Sequence, residues 1–99
     1  MSASAFQLHR RAPDTLGVSG VLSFGTAAAA LAAIGAAVKA GPVARLDLAG
    51  VERTDSAGLA CVLAIRAEAQ RLGRPLTVTN MPEGMRTLAQ VCEVESLLG

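Results

Sequence analysis

The chain has 99 residues, 52% of them apolar, with nine lysines and arginines against eight aspartates and glutamates and a formal net charge of +1. That length builds one modest core and not two. The near-neutral, sign-mixed charge excludes a nucleic-acid groove, which needs clustered cations to displace counterions. Two phenylalanines, with no Trp or Tyr, leave little for stacking on bases.

In chain order, Phe6, Leu8 and Arg10 alternate with polar neighbours and predict a strand. Ala12-Pro13-Asp14-Thr15 is a turn signal, and Leu16, Val18 and Val21-Leu22 predict a second strand, so the pair reads as a hairpin. Thr15 to Val38 carries no charge, is long enough to span a bilayer, and follows Arg10 and Arg11 as the core of a signal sequence would. Its first half is broken by Gly17, Ser19, Gly20, Ser23 and Gly25, and its second half is mostly alanine, which gains little on transfer into lipid. The run therefore reads as two buried elements of a soluble domain, split at Phe24-Gly25.

After the split, Thr26 is the expected N-cap of an alanine-rich helix to about Lys39, stopped by Gly41-Pro42. Ala27, Ala30, Leu31, Ile34 and Val38 fall on its apolar face. Val43 to Leu48 predicts a strand with Leu46 and Leu48 on one face and Arg45 and Asp47 on the other. A helix is expected from about Ser56 to Leu72, with Leu59, Val62, Leu63, Arg66, Ala69 and Leu72 at helical spacing and Gly73 beyond its end. Pro75 to Asn80 is a β-branched strand. Met81-Pro82-Glu83 opens a last helix with Met85, Leu88 and Val91 in step, continuing to Leu97-Leu98. The order β-β-α-β-α-β-α predicts a single α/β domain over residues 1–99: a small, mainly parallel sheet with right-handed crossovers and an antiparallel strand at one end.

The stretch VERTDSAGLACVL, Val51 to Leu63, gathers Asp55, Ser56 and Gly58 where a strand gives way to a helix, at the sheet edge where ligands and partners engage. Helix capping alone accounts for Asp55 and Ser56, since either oxygen can accept from free backbone N–H groups at the positive end of the helix dipole. Gly58 lets a neighbouring backbone come close.

Catalytic readings are weaker. A nucleophilic serine needs a base within reach, and His9, the single histidine, lies on the first strand and reads as an exposed strand residue. No G-x-S-x-G is present. VSGVLSFG lacks the Gly-Lys-Ser/Thr of a phosphate loop, and Lys39 is the one lysine. Asp47 and Asp55 are a conceivable carboxylate pair, but without a His or Cys partner they make a poor metal site. Cys61 and Cys92, in no metal-binding spacing, read as small core hydrophobes in a reducing compartment. No enzyme, metal or cofactor is expected.

VARLDLAGVERTDSAGLACVL resembles the signature of the STAS family (sulfate transporter and anti-sigma factor antagonist domains): a strand with Asp-Leu, a short bridge, then Asp-Ser-x-Gly-Leu opening a helix. LGVSGVLSFGTAAAAL and RPLTVTNMPEGMRTLAQVCEVESLL resemble the family's second strand and first helix, and its last strand and closing helix, so Leu16 to Leu98 is covered. In the anti-sigma factor antagonist branch the second serine of Asp-Ser-Ser-Gly is phosphorylated by a partner kinase. Ala57 stands at that position here and has no hydroxyl.

The short chain, the pattern from Asp55 to Ala60 and the end soon after the final helix resemble the STAS subunit of the Mla phospholipid-transport ABC system. That resemblance implies a non-catalytic cytoplasmic subunit, held peripheral to the inner membrane through its complex, that binds and stabilises or regulates the transporter's ATPase subunit. It also implies that Asp55, Ser56, Ala57, Gly58 and Leu59 form the partner surface, with the Ser56 hydroxyl at the contact. The alternative it implies is an anti-sigma factor antagonist partnered by an anti-sigma factor kinase, with Ser56 as a displaced phosphoacceptor.

Overall fold

Seven elements occupy the described residues, 6–92, of the computed structural model: β1 (Phe6–Ala12), β2 (Thr15–Leu22), α1 (Ala27–Ala40), β3 (Arg45–Thr54), α2 (Ser56–Arg71), β4 (Thr77–Thr79) and α3 (Glu83–Val91). The expected continuation of the last helix to Leu97-Leu98 lies outside those residues. The sheet order is β1-β2-β3-β4, β1 antiparallel to β2 and the other pairs parallel. Because the chain steps one way across the sheet, crossovers of one hand bring α1 and α2 to the same face. The two helices pack on each other, and α2 also packs on β2, β3 and α3. The uncharged run from Thr15 to Val38 is thus β2, a turn and α1, and no helix among the described residues is long and apolar enough to cross a membrane.

The core lies between sheet and helices. Leu16, Val18, Leu22, Leu46 and Leu48 from the strands meet Ile34 and Val38 of α1, Leu59, Val62 and Ile65 of α2, and Met85 of α3. Each large aliphatic side chain there contributes about 2 kcal/mol through removal from water. Two faces differ from expectation. Leu31 leaves the apolar face of α1 and is half exposed, because Ala30, Ile34 and Val38 already fill the contact with the sheet. Leu72 is likewise exposed, while Cys61 and Ile65 take the buried positions of α2.

β3 runs six residues beyond the expected end at Leu48. The pairing Gly17↔Asp47 followed by Ser19↔Gly50 sets Val18 against both Leu48 and Ala49, and Gly20↔Val51 followed by Val21↔Arg53 leaves Glu52 as a second extra residue. Each such bulge shifts the side-chain alternation by one. Leu46 and Leu48 point into the core, then Val51 does so three positions later. A period-two reading stops where the phase breaks. The bulges let β3 finish level with β2, Thr54 opposite Leu22, so the loops that follow the two strands lie side by side.

The helix ends are held by particular side chains. Thr26 sits at the N-cap of α1 but makes no side-chain cap; its hydroxyl donates to the Val21 carbonyl at 2.8 Å and accepts from the Ser23 N–H at 3.0 Å, closing the loop behind it. Gly73, with φ 74°, ends α2 in a Schellman arrangement: Arg74 N donates to Ala69 O and Gly73 N to Gln70 O. The Arg74 side chain then reaches α1, where Nη1 donates to the carbonyls of Val38, Lys39 and Gly41 at 3.0, 3.1 and 3.3 Å. One guanidinium satisfies the exposed carboxyl end of the neighbouring helix.

Candidate protein-docking site

The site is the turn between β3 and α2. Asp55 is the N-cap residue of α2, in extended conformation, and its Oδ1 accepts from the N–H groups of Ala57 at 2.9 Å and Gly58 at 3.1 Å. Its Oδ2 accepts from the N–H of Phe24, in the loop after β2, at 3.1 Å. These bonds hold the carboxyl below the ordinary aspartate range, the Phe24 N–H contributing most, then that of Gly58. Leu59 N donates to the Asp55 carbonyl, so the first turn of α2 has its donors engaged from Ala57 to Leu59. The positive helix end is filled from within by Asp55, whose carboxylate ties the turn to the loop after β2.

Ser56 follows as the first residue of α2. It is exposed, and its hydroxyl makes no hydrogen bond among the described residues. The expectation that Ser56 shares the capping is corrected: Asp55 caps alone, and the serine oxygen is presented outward. Ala57 is half-buried beside it. Gly58 is buried; a Cβ there would collide with the Leu22 carbonyl and lie 2.5 Å from Thr54 Oγ1, so only glycine lets α2 start this close to the end of β2.

Leu59 does not belong to the surface. It is 3% exposed and packs in the core, because the cap turns the fourth residue of the turn inward. The apolar group at the surface is Phe24, 85% exposed, delivered by the Asp55 bond to the neighbouring loop. Its signal in the sequence was slight: one of only two aromatics, standing between Ser23 and Gly25.

The other residues singled out from sequence stand elsewhere. Asp47 is eight residues upstream of Asp55 on an extended strand, so the two carboxylates do not meet. Asp47 Oδ1 accepts from Asn80 Nδ2 at 3.0 Å and from Ala49 N at 2.9 Å, and Arg11 Nε lies 3.7 Å from Oδ2. Asn80 first, then Ala49, hold its carboxyl below the ordinary value, and the Ala49 bond pins the first bulge of β3. His9 is exposed on β1 and shares a hydrogen bond with Ser19 Oγ at 3.0 Å, not with Ser56. Cys61 is buried, which raises its thiol pKa, whereas Cys92 is exposed at the end of α3 and is not a core residue. No cluster of three His, Cys, Asp or Glu suited to a metal occurs among the described residues.

This architecture, a four-stranded mixed sheet with three helices, is shared by a solved anti-sigma factor antagonist. The unphosphorylated form of the anti-sigma factor antagonist SpoIIAA shares it at a TM-score of 0.71 and 22% identity, over 94% of this chain and 84% of that one. The phosphorylated form of SpoIIAA, the Bacillus cell fate determinant, does so at 0.68 and 23%, over 94% and 87%. The sequence profile of the MlaB STAS domain matches residues 6–99, and the chain belongs to that STAS domain family. No curated protein matches it.

Proposed function

We propose that the chain is a non-catalytic STAS subunit that docks on the ATPase subunit of a phospholipid ABC transporter of the Mla type and stabilises or regulates it. In this reading it is cytoplasmic and meets the inner membrane only through that complex. One observation carries the reading: the Ser56 hydroxyl is exposed and uncommitted on a turn whose backbone is locked by Asp55. A pre-formed polar contact beside the exposed Phe24 ring suits a protein partner, since little ordering entropy is lost on binding. The family profile is that of MlaB, which supports the transporter over the sigma-regulatory branch, and Ala57 offers no hydroxyl where the latter branch is phosphorylated.

The deciding experiment is co-purification with a candidate Mla-type ABC ATPase subunit from the same organism, using wild type, Ser56→Ala and Ser56→Arg. Wild type is expected to bind, and Ser56→Arg to lose binding with little change in melting temperature, because the side chain points into water. Equal losses of binding and stability would reduce Ser56 to a structural residue. Transfer of phosphate to Ser56 by an anti-sigma factor kinase, with no ATPase binding, would favour the other branch.

A further inference from the structure

Three exposed cations gather at the carboxyl end of α1. Arg74 Nη1 is held by the carbonyls of Val38, Lys39 and Gly41. Arg10 Nη1 donates to Pro13 O at 3.0 Å, which brings the Arg10 guanidinium to 3.7 Å from the place a Cβ on Gly41 would occupy. Lys39 stands in the last turn of α1 and, with Arg74 and Leu72, lines a concavity of about 200 Å³. Among the described residues no carboxylate lies within ion-pair distance of Arg10, Lys39 or Arg74. Glu68 is close enough to Lys39 for the charges to interact, but Arg71 Nε and Nη2 take both its oxygens. Asp14, on the adjoining turn, is matched by Arg45, whose backbone N–H donates to the Asp14 carbonyl. The dipole of α1 supplies only about half a negative charge at this end. Most of the positive charge therefore stands uncompensated.

We propose that this end of α1 binds a phosphate group, with Arg10 and Arg74 as hydrogen-bond donors and Lys39 as the third positive charge. Backbone carbonyls fix both guanidiniums through Nη1 alone, and the Nε and Nη2 groups of each make no hydrogen bond among the described residues. Donors held in place and left unspent cost little to order when an anion arrives. The tetrahedral shape decides the class of ligand. A planar carboxylate engages one guanidinium fork, whereas phosphate oxygens can face cations that arrive from three elements. A nucleic acid needs a longer basic track than one helix end supplies. Free orthophosphate and the headgroup of an anionic phospholipid offer the same chemistry, and both fit the concavity's width. The site lies at the far end of α2 from Ser56, so it is independent of the docking role given above.

The test titrates the full chain with inorganic phosphate by calorimetry, with chloride holding the ionic strength constant. Saturable binding in the millimolar range or tighter is expected. Lys39→Gln and Arg10→Gln are each expected to weaken it about ten-fold, the loss of one charge-assisted contact. Lys39 is exposed, so that variant is expected to melt as wild type does in chloride and keeps folding out of the result. Arg53→Gln, at the other end of the sheet, is expected to bind phosphate as wild type does. A second arm uses phosphatidylcholine vesicles with and without phosphatidylglycerol. Binding to the anionic vesicles that is lost in the same two variants makes a lipid headgroup the source, and phosphate binding without vesicle binding makes it the free ion. An equal loss in Arg53→Gln would reduce the effect to general attraction of anions and overturn the site. So would wild-type binding in Lys39→Gln and Arg10→Gln, or binding to neither phosphate nor vesicles.

Discussion

Phe24 donates its backbone N–H to Asp55 Oδ2 at 3.1 Å, joining the loop after β2 to the start of α2. The same carboxylate caps α2 through Ala57 and Gly58, so a single side chain sets both the helix start and the position of the exposed phenylalanine. Loss of Asp55 should therefore disturb two loops, where an ordinary cap disturbs one.

Stability should fall at acid pH through Asp55 and Asp47. Both carboxyls titrate below the ordinary value of 3.8 in the folded chain, Asp55 chiefly through the Phe24 N–H and Asp47 chiefly through Asn80. A depressed folded pKa means the unfolded chain takes up the proton first. The stabilisation is thus complete above about pH 5 and is lost as pH falls through the folded values. Melting temperatures measured from pH 6 to 3 should show a decline that is shallower in Asp55→Asn. Parallel curves for wild type and variant would exclude the carboxylate as the cause.

Gly58→Ala should be strongly destabilising, by about 3 kcal/mol, because the new methyl group meets the Leu22 carbonyl and the Thr54 hydroxyl and neither strand end can move freely. Urea unfolding followed by circular dichroism measures this. A cost below about 0.5 kcal/mol, as for an ordinary surface substitution, would mean that α2 can start further from β2 than the structure has it.

Arg74→Ala should cost about 1–2 kcal/mol by leaving the carbonyls of Val38, Lys39 and Gly41 without their cationic donor. Arg74→Lys should recover only part of the loss, since an ammonium lacks the planar fork. Amide hydrogen exchange in the last turn of α1 is the sharper readout, with faster exchange expected in the alanine variant. Unchanged protection there would remove the capping role.

Thr26→Val keeps the shape and removes the hydroxyl that bridges Val21 O and Ser23 N in a part-buried loop. A loss of about 1–2 kcal/mol is expected by thermal melting, with Thr26→Ser retaining most of the stability. If Ser and Val variants melt alike, the hydroxyl is not what holds the loop.

Much of the fold was legible from local pattern. Phe6 and Leu8, the turn at Pro13-Asp14, the alanine-rich helix and the Gly73 stop each declared an element through chemistry that acts within a few residues. β3 was legible only to Leu48, because its bulges break the alternation on which a strand is recognised, and nothing local shows that Val18 of another strand faces two residues at once. The candidate site divided in the same way. Asp55 and Gly58 could be read as a cap and a close approach, while the outward turn of Ser56, the burial of Leu59 and the exposure of Phe24 could not.

Element order, the presence of a side-chain cap at the start of the second helix, and the family resemblance carried by Val43 to Leu63 were determined by the sequence alone, because capping, turn chemistry and periodicity are short-range. Tertiary structure decided that β2 and β3 end level and that Phe24 lies against Asp55. Those relationships depend on strand register and helix packing between residues far apart in the chain, and no local pattern encodes them.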